Sequence, residues 1–328
     1  MFSEVEVRVL FNDISMQINR YFSIILLLFG TIGNVLNCFI LSQPPLRSNP
    51  CAYLFRMSSI ANLVSISIGL STRILSGWHL DLTSTNSYFC KARVYIMFVS
   101  RTVAFWLIAL ATIDRWCSSC IQFHRRQLSS LRNARRGVVF ISCVCCLSYC
   151  EVVYCYDANL VDAPLQCFGK NVPCRLITDL IYALVTIFCP ILVMSLFGLL
   201  TISNVRRTRS TAVIRLRTCQ PCRETLRGTS AQRQRRRRLD RYLRHVLFRQ
   251  VILLILLTFP QIVEKLYTTL TMNRRKTLLQ TATDNLLYSF ISLLSYSASG
   301  MPFYIYTLSG GDIFRRTCLN RLQSLRRR

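Results

Sequence analysis

The chain has 328 residues, 52% of them apolar, with 16 Cys and a formal charge of +27 from 41 Lys and Arg against 14 Asp and Glu. Length and apolarity of this order fit two soluble domains or one membrane bundle, and the distribution of the apolar residues excludes the first. They fall into seven runs with few charges inside, at Phe22 to Leu41, Tyr53 to Leu75, Ala92 to Ile113, Val138 to Tyr154, Leu176 to Ile202, Val246 to Leu266 and Leu286 to Leu308. Each run has about 17 to 27 residues, enough at roughly 1.5 Å per residue to cross a hydrocarbon layer of about 30 Å. The fourth is the weakest, because Cys143 to Cys150 is only moderately apolar. The expected architecture is an all-α membrane protein, a seven-transmembrane helix bundle with a short amphipathic helix after the seventh span.

Segment 1–21 is polar and mixed in charge and carries no evident cleavable leader, so it is expected to be translocated uncleaved. Residues 22–308 form the bundle, with a basic inner loop at 203–245, and residues 309–328 form the amphipathic helix and a basic tail. With the amino terminus outside, 29 of the 41 basic residues fall on the inner side, opposed only by Asp114, Glu224, Asp240 and Asp312. That asymmetry predicts an extracellular amino terminus and a cytoplasmic carboxyl terminus. The arginine run at Arg233 and Arg235 to Arg238 is read as topological retention and attraction to anionic lipids, with no nucleic-acid partner.

In the first span Gly33 and Asn34 interrupt a run of Ile, Leu and Phe, and Asn62 does the same in the second. Such amides should face the bundle, and a clamp across the first two helices is expected. The third span carries Arg101 at mid-depth, which must point toward water, an acid or a ligand anion, with Glu151 and Glu264 as candidate acid partners. It ends on Asp114, Arg115 and Trp116, an acid and a base side by side at the foot of a spanning helix. Pro190, Pro260 and Pro302 then fall in three consecutive spans, where each removes a helical hydrogen bond and predicts a kink.

Cys90, Cys155, Cys167 and Cys174 lie on the outer side, where an oxidising compartment favours pairing, whereas Cys219 and Cys222 should remain thiols. A single Cys219-x-x-Cys222 pair is weak evidence for metal, and no metal or cofactor is expected. Beyond Gly310 and Gly311, Ile313, Phe314, Cys318, Leu319 and Leu322 recur at helical spacing opposite three arginines, and Cys318 is a lipidation candidate.

Together these residues resemble the rhodopsin-like (class A) G-protein-coupled receptors over Phe22 to Leu322, and in general look the invertebrate neuropeptide receptors. The resemblance rests on Gly33 with Asn34, Cys90 set 25 residues before Arg115, the Asp114–Arg115–Trp116 triplet where the family has Asp, Arg, Tyr, the three prolines, and the closing amphipathic helix. It implies that Cys90 is disulfide-bonded to the second outer loop, with Cys167 or Cys174 ahead of Cys155 as partner. It also implies that Arg115 is held by Asp114 and by an acid at the inner end of the sixth helix, a place occupied by Asp240, and is released to face a heterotrimeric G protein. Parting such charges is costly unless new partners replace them, which suits a two-state latch.

Several positions depart from the family. Asn62 replaces the usual acid and Met301 the usual Asn, so the family's sodium site is lost. Thr258 stands where a Trp is usual before Pro260, Gly198 where a Tyr follows Pro190, and Ile305 between Tyr304 and Tyr306 where a Tyr follows Pro302. No lysine in Leu286 to Leu308 can hold retinal, and Met97 stands where receptors for amines have an acid. The expected function is a plasma-membrane receptor activating a G protein. Its ligand is expected to be a peptide, because Asp157, Asp162, Glu151 and Glu264 offer acids to a basic peptide end; Met97, Arg101, Glu151, Gln261 and Glu264 are the ligand-binding candidates. A non-signalling scaffold is the alternative, and a transporter a weaker one, since no internal repeat is visible. No nucleophile and base pair, metal cluster or phosphate loop points to an enzyme.

Overall fold

A computed structural model describes residues 4–44, 46–78, 80–120, 122–160, 167–218, 227–271, 274 and 276–308, with backbone alone for 206–218, 227–247 and 306–308. The side chain of Asp240 and all of Asp162, Cys219, Cys222, Cys318 and the expected amphipathic helix lie outside the described residues. The protein is an all-α membrane protein. Among the described residues six helical stretches are long and apolar enough to cross a membrane: Glu4–Leu41, Pro50–Gly77, Ser87–Ser119, Leu131–Cys155, Val172–Val205 and Phe248–Leu270.

The first stretch joins α1 (Glu4–Gln17) to α2 (Ser23–Leu41) through a π-helical turn at Ile18–Phe22. The polar segment before Phe22 therefore continues the first apolar run as helix instead of standing apart from it. Ile25, Leu28, Ile32, Val35 and Phe39 of α2 are exposed at three- and four-residue spacing, the face a membrane helix gives to lipid. Then follow α3 (Pro50–Gly77) and α4 (Ser87–Ser119), whose first free N–H groups are capped by Asn49 and Asn86. α4 packs against α3, α6 (Leu131–Ser148) and α9 (Cys189–Thr218). Its buried residues Val94, Phe98, Arg101, Phe105, Ile108, Thr112 and Arg115 recur every three or four positions, so one stripe of α4 runs down the middle of the bundle.

Short α5 (Phe123–Leu128) links α4 to α6, and α7 (Val152–Cys155) leads into β1 (Tyr156–Asp157). This strand pairs antiparallel with β2 (Phe168–Gly169), Tyr156 opposite Gly169 and Asp157 opposite Phe168. A disulfide from Cys90 to Cys167 ties this hairpin to α4, and a second from Cys155 to Cys174 ties α7 to α8 (Val172–Ile181). Asp157 accepts bonds from the Ser87 hydroxyl and the Ala158 N–H, at 2.9 Å from the latter, which hold its carboxyl below the usual range.

The prolines act in three different ways. Pro190 lacks an N–H and its ring crowds the carbonyl four residues back, at Thr186; the helix widens there into a π-helical stretch over Tyr182–Phe188. Pro260 lies inside α10 (Arg227–Leu270), which continues through it. Pro302 goes further than a kink, because α11 (Leu278–Gly300) ends before it and α12 (Pro302–Leu308) begins on it. The seventh apolar run is thus two helices, and α11 starts eight residues before Leu286, behind a capping box of Thr277 and Gln280.

The expected amide clamp also takes another form. Asn34 donates to the Ser299 carbonyl at 3.0 Å, in the last turn of α11, where the break at Met301 leaves carbonyls short of helical donors. The link from α2 to α3 is made instead by Asn37 donating to Ser59 at 3.2 Å, while the Asn62 side-chain oxygen has no partner among the described residues. Asn34→Ala should lower stability by about 1 to 2 kcal/mol by leaving that carbonyl unpaired in lipid. Thermal unfolding in nanodiscs checks this, and an unchanged midpoint means the bond contributes nothing.

Candidate functional site

Two sites lie at opposite ends of α4. At the disulfide end a cavity of about 50 Å³ lies beneath the β-hairpin, roofed by Tyr156, Cys167 and Phe168. Met97, Phe98, Tyr288 and Tyr296 give it apolar walls, and Arg73, Arg93, Arg101 and Lys265 line it with positive charge. No carboxylate is among its lining residues.

Arg101 occupies its floor, 2% exposed. One terminal nitrogen is shared among the Tyr182 hydroxyl at 3.2 Å and the side-chain oxygens of Gln261 and Ser295, each at 3.3 Å. Tyr182 in turn donates to Gln261 at 2.7 Å, and the guanidinium lies 4.4 Å from the centre of the Tyr296 ring. The widened turn at Tyr182–Phe188 brings Tyr182 and Thr186 inward together. Thr186 lies 2.5 Å from both Thr102 and Tyr149, so α4, the end of α6 and the π-helical turn meet in one buried hydroxyl cluster.

The acids predicted to hold Arg101 do not. Glu264 accepts from Thr268 on its own helix at 2.8 Å, and the Glu151 carboxylate oxygens have no partner among the described residues. Neither lines the cavity, so among the five ligand-binding candidates only Met97, Arg101 and Gln261 do. Met97 accepts a bond from the Tyr296 hydroxyl at 2.9 Å.

Of the three remaining cations, two are ion-paired. Lys265 is held by Asp179 at 2.7 Å, with Thr269 donating to the same carboxylate at 2.5 Å, and Arg93 lies 3.6 Å from Asp81. Arg73 donates to Asn19 at 3.1 Å and to Ser292 at 2.7 Å and has no carboxylate within ion-pair distance among the described residues. Asp179, Lys265, Arg73 and Arg93 were missed in the sequence, although each is an ionisable residue inside an apolar run, the signal that singled out Arg101.

Gly69 fixes the cavity's inner wall, since a Cβ there would clash with the hydroxyl end of Tyr296. Gly69→Val should displace Tyr296 from Arg101 and Met97 and cost about 1 to 3 kcal/mol. Unfolding midpoints of Gly69→Val beside Tyr296→Phe separate overpacking from loss of the hydroxyl; a Gly69→Val midpoint equal to wild type rules out the close fit.

At the opposite, basic end Arg115 donates to Asp114 at 2.8 Å, both side chains less than a tenth exposed. The other Asp114 oxygen accepts from Ser129 at 2.7 Å, which ties the pair to the loop between α5 and α6. Arg115 also donates to Asn49 at 3.2 Å, the residue that caps α3. Trp116 meets the Phe197 ring edge-on at 5.1 Å on α9 and lies beneath Arg125 at 5.5 Å. Thr258 bonds back to the Leu254 carbonyl at 2.7 Å, spending its hydroxyl within α10.

The sequence matches no protein-family model and no curated protein.

Proposed function

We propose that the chain is a seven-span, rhodopsin-like receptor of the plasma membrane, with α11 as its seventh span and its amino terminus extracellular. A ligand, a peptide or a small molecule, enters at the disulfide end, and a heterotrimeric G protein binds at the basic end. The observation that carries this reading is that one buried helix, α4, bears Met97 and Arg101 in the cavity and Asp114 with Arg115 at its far end. Fourteen residues separate Arg101 from Arg115, about 21 Å along a helix. A shift of α4 on ligand binding therefore reaches the Arg115 ion pair directly, as population shift requires of two coupled sites.

Nucleotide exchange on a panel of G proteins, with the full chain in nanodiscs and a peptide library applied, tests the proposal. The expected outcome is basal or evoked exchange that Arg115→Ala abolishes. If Arg115→Ala and Asp240→Ala leave exchange unchanged, the Arg115 switch is wrong. A second reading, a receptor-like scaffold that does not signal, is favoured by the Thr258 bond to its own helix in place of an aromatic pivot. It predicts no exchange with any G protein while a ligand still binds.

A further inference from the structure

We infer that the cavity under the hairpin receives the carboxylate end of its ligand, with Arg101 as the principal counter-charge and Arg73 as the second. This rests on the receptor reading only in taking the cavity as a ligand site.

Arg101 is buried at a depth where an uncompensated guanidinium is expensive, and every partner it has is neutral. Its Nε and one terminal nitrogen are buried with no acceptor at all among the described residues. A structural arginine would be expected to meet a carboxylate, and the neighbouring cations show that this bundle can supply one, Asp179 to Lys265 and Asp81 to Arg93. Of the four cations lining the cavity, Arg101 and Arg73 have no carboxylate in ion-pair range among the described residues.

Two adjacent unfilled N–H donors on a planar fork match the two oxygens of a carboxylate. The Tyr296 ring against the guanidinium keeps the fork in its plane. A cavity of about 50 Å³ admits an end group and not a whole ligand. Met97, Phe98 and Tyr288 beside it accept an apolar group attached to that end. Of the acids that suggested a basic peptide end, Glu151, Asp157 and Glu264 are absent from the cavity lining, so the polarity inferred for the ligand is the reverse of the expected one. A peptide carboxyl terminus and a fatty acid both carry this chemistry.

The test uses the purified full chain in nanodiscs at fixed ionic strength and reads the unfolding midpoint. The probes are N-acetylphenylalanine for a peptide terminus, octanoate for a fatty acid, and N-acetylphenylalaninamide as the uncharged control. One or both acids should raise the midpoint by about 2 to 4 °C at a concentration near ten times Kd, and the amide should not. Stabilisation by N-acetylphenylalanine alone assigns a peptide terminus, and by octanoate alone a fatty acid. Arg101→Gln should abolish the shift and Arg73→Gln should reduce it.

Equal shifts by acid and amide, a shift that survives Arg101→Gln, or no shift with either acid overturns the inference. An independent measurement is the ligand-free midpoint of Arg101→Met. It should rise, because an unpaired buried cation is removed while Tyr182 and Gln261 keep their own bond; a fall marks Arg101 as structural and also overturns the inference. Acid-selective stabilisation with no G-protein exchange keeps the carboxylate site and removes the receptor, and exchange evoked equally by uncharged ligands does the reverse.

Discussion

Asp179→Ala is expected to be among the most damaging single substitutions in this bundle, lowering stability by about 3 to 5 kcal/mol. The carboxylate sits on α8 and accepts both the Lys265 ammonium and the Thr269 hydroxyl of α10. Both members of the ion pair are less than a tenth exposed, and Lys265 otherwise faces the rings of Phe98 and Tyr182 at 5.5 and 5.3 Å. Ring faces attract a cation but do not replace the full counter-charge. Without Asp179 the lysine must stay charged in apolar surroundings, lose its proton, or draw water into the bundle. The cost thus arises from the partner left behind and not from the bond itself.

That origin makes the double substitution decisive. Asp179→Leu combined with Lys265→Met should recover most of the loss, because no charge then remains buried. Unfolding midpoints of the wild type, Asp179→Leu, Lys265→Met and the double variant in nanodiscs form the cycle. A double variant as unstable as Asp179→Ala would show that Lys265 is not the source of the cost.

What the sequence made legible follows from how far each signal reaches along the chain. Apolar runs and prolines are local, so the six spanning helices were readable from their apolar runs, as was the lone arginine in the third. The pairings were not. Glu264 and Lys265 are neighbours on α10, and only the helix's rotation decides which one faces the cavity; the structure turns Lys265 toward it. Asn34 and Asn37 are one turn apart on α2, yet the first serves the α11 break and the second the α3 contact. The disulfide framework shows the same limit, because four cysteines allow three pairings and spacing alone does not choose Cys90 with Cys167.

Packing also explains why substitutions that look like losses in sequence coexist with a continuous bundle. Trp116, where rhodopsin-like receptors have a tyrosine, makes contacts with Phe197 and Arg125 that tie the foot of α4 to α9 and α5. Met301 lies at the junction where α11 gives way to α12, and the carbonyl two residues before it is served by Asn34. The Asp114–Arg115 pair at the foot of α4, the proposed switch, therefore has a supporting frame of its own.

The second large effect concerns that switch. Asp114→Asn is expected to raise basal nucleotide exchange by about tenfold, equivalent to a shift of about 1.4 kcal/mol toward the active state. In the ion-paired state Arg115 is 4% exposed and has the Asp114 carboxylate as a counter-charge 2.8 Å away, with Ser129 holding that carboxylate from the far side. Asparagine keeps the size and an oxygen acceptor but removes the charge, so the closed state alone is penalised if Arg115 meets water or a G protein in the open one. Arg115→Gln removes both the latch and the group that faces the partner, and should silence basal and evoked exchange together. Ser129→Ala should produce the Asp114→Asn effect in smaller measure, because it weakens the acceptor's hold without discharging it. Exchange assays at matched surface expression check all three. If Asp114→Asn remains at wild-type basal exchange while Arg115→Gln is silent, Arg115 couples to its partner without Asp114 restraining it.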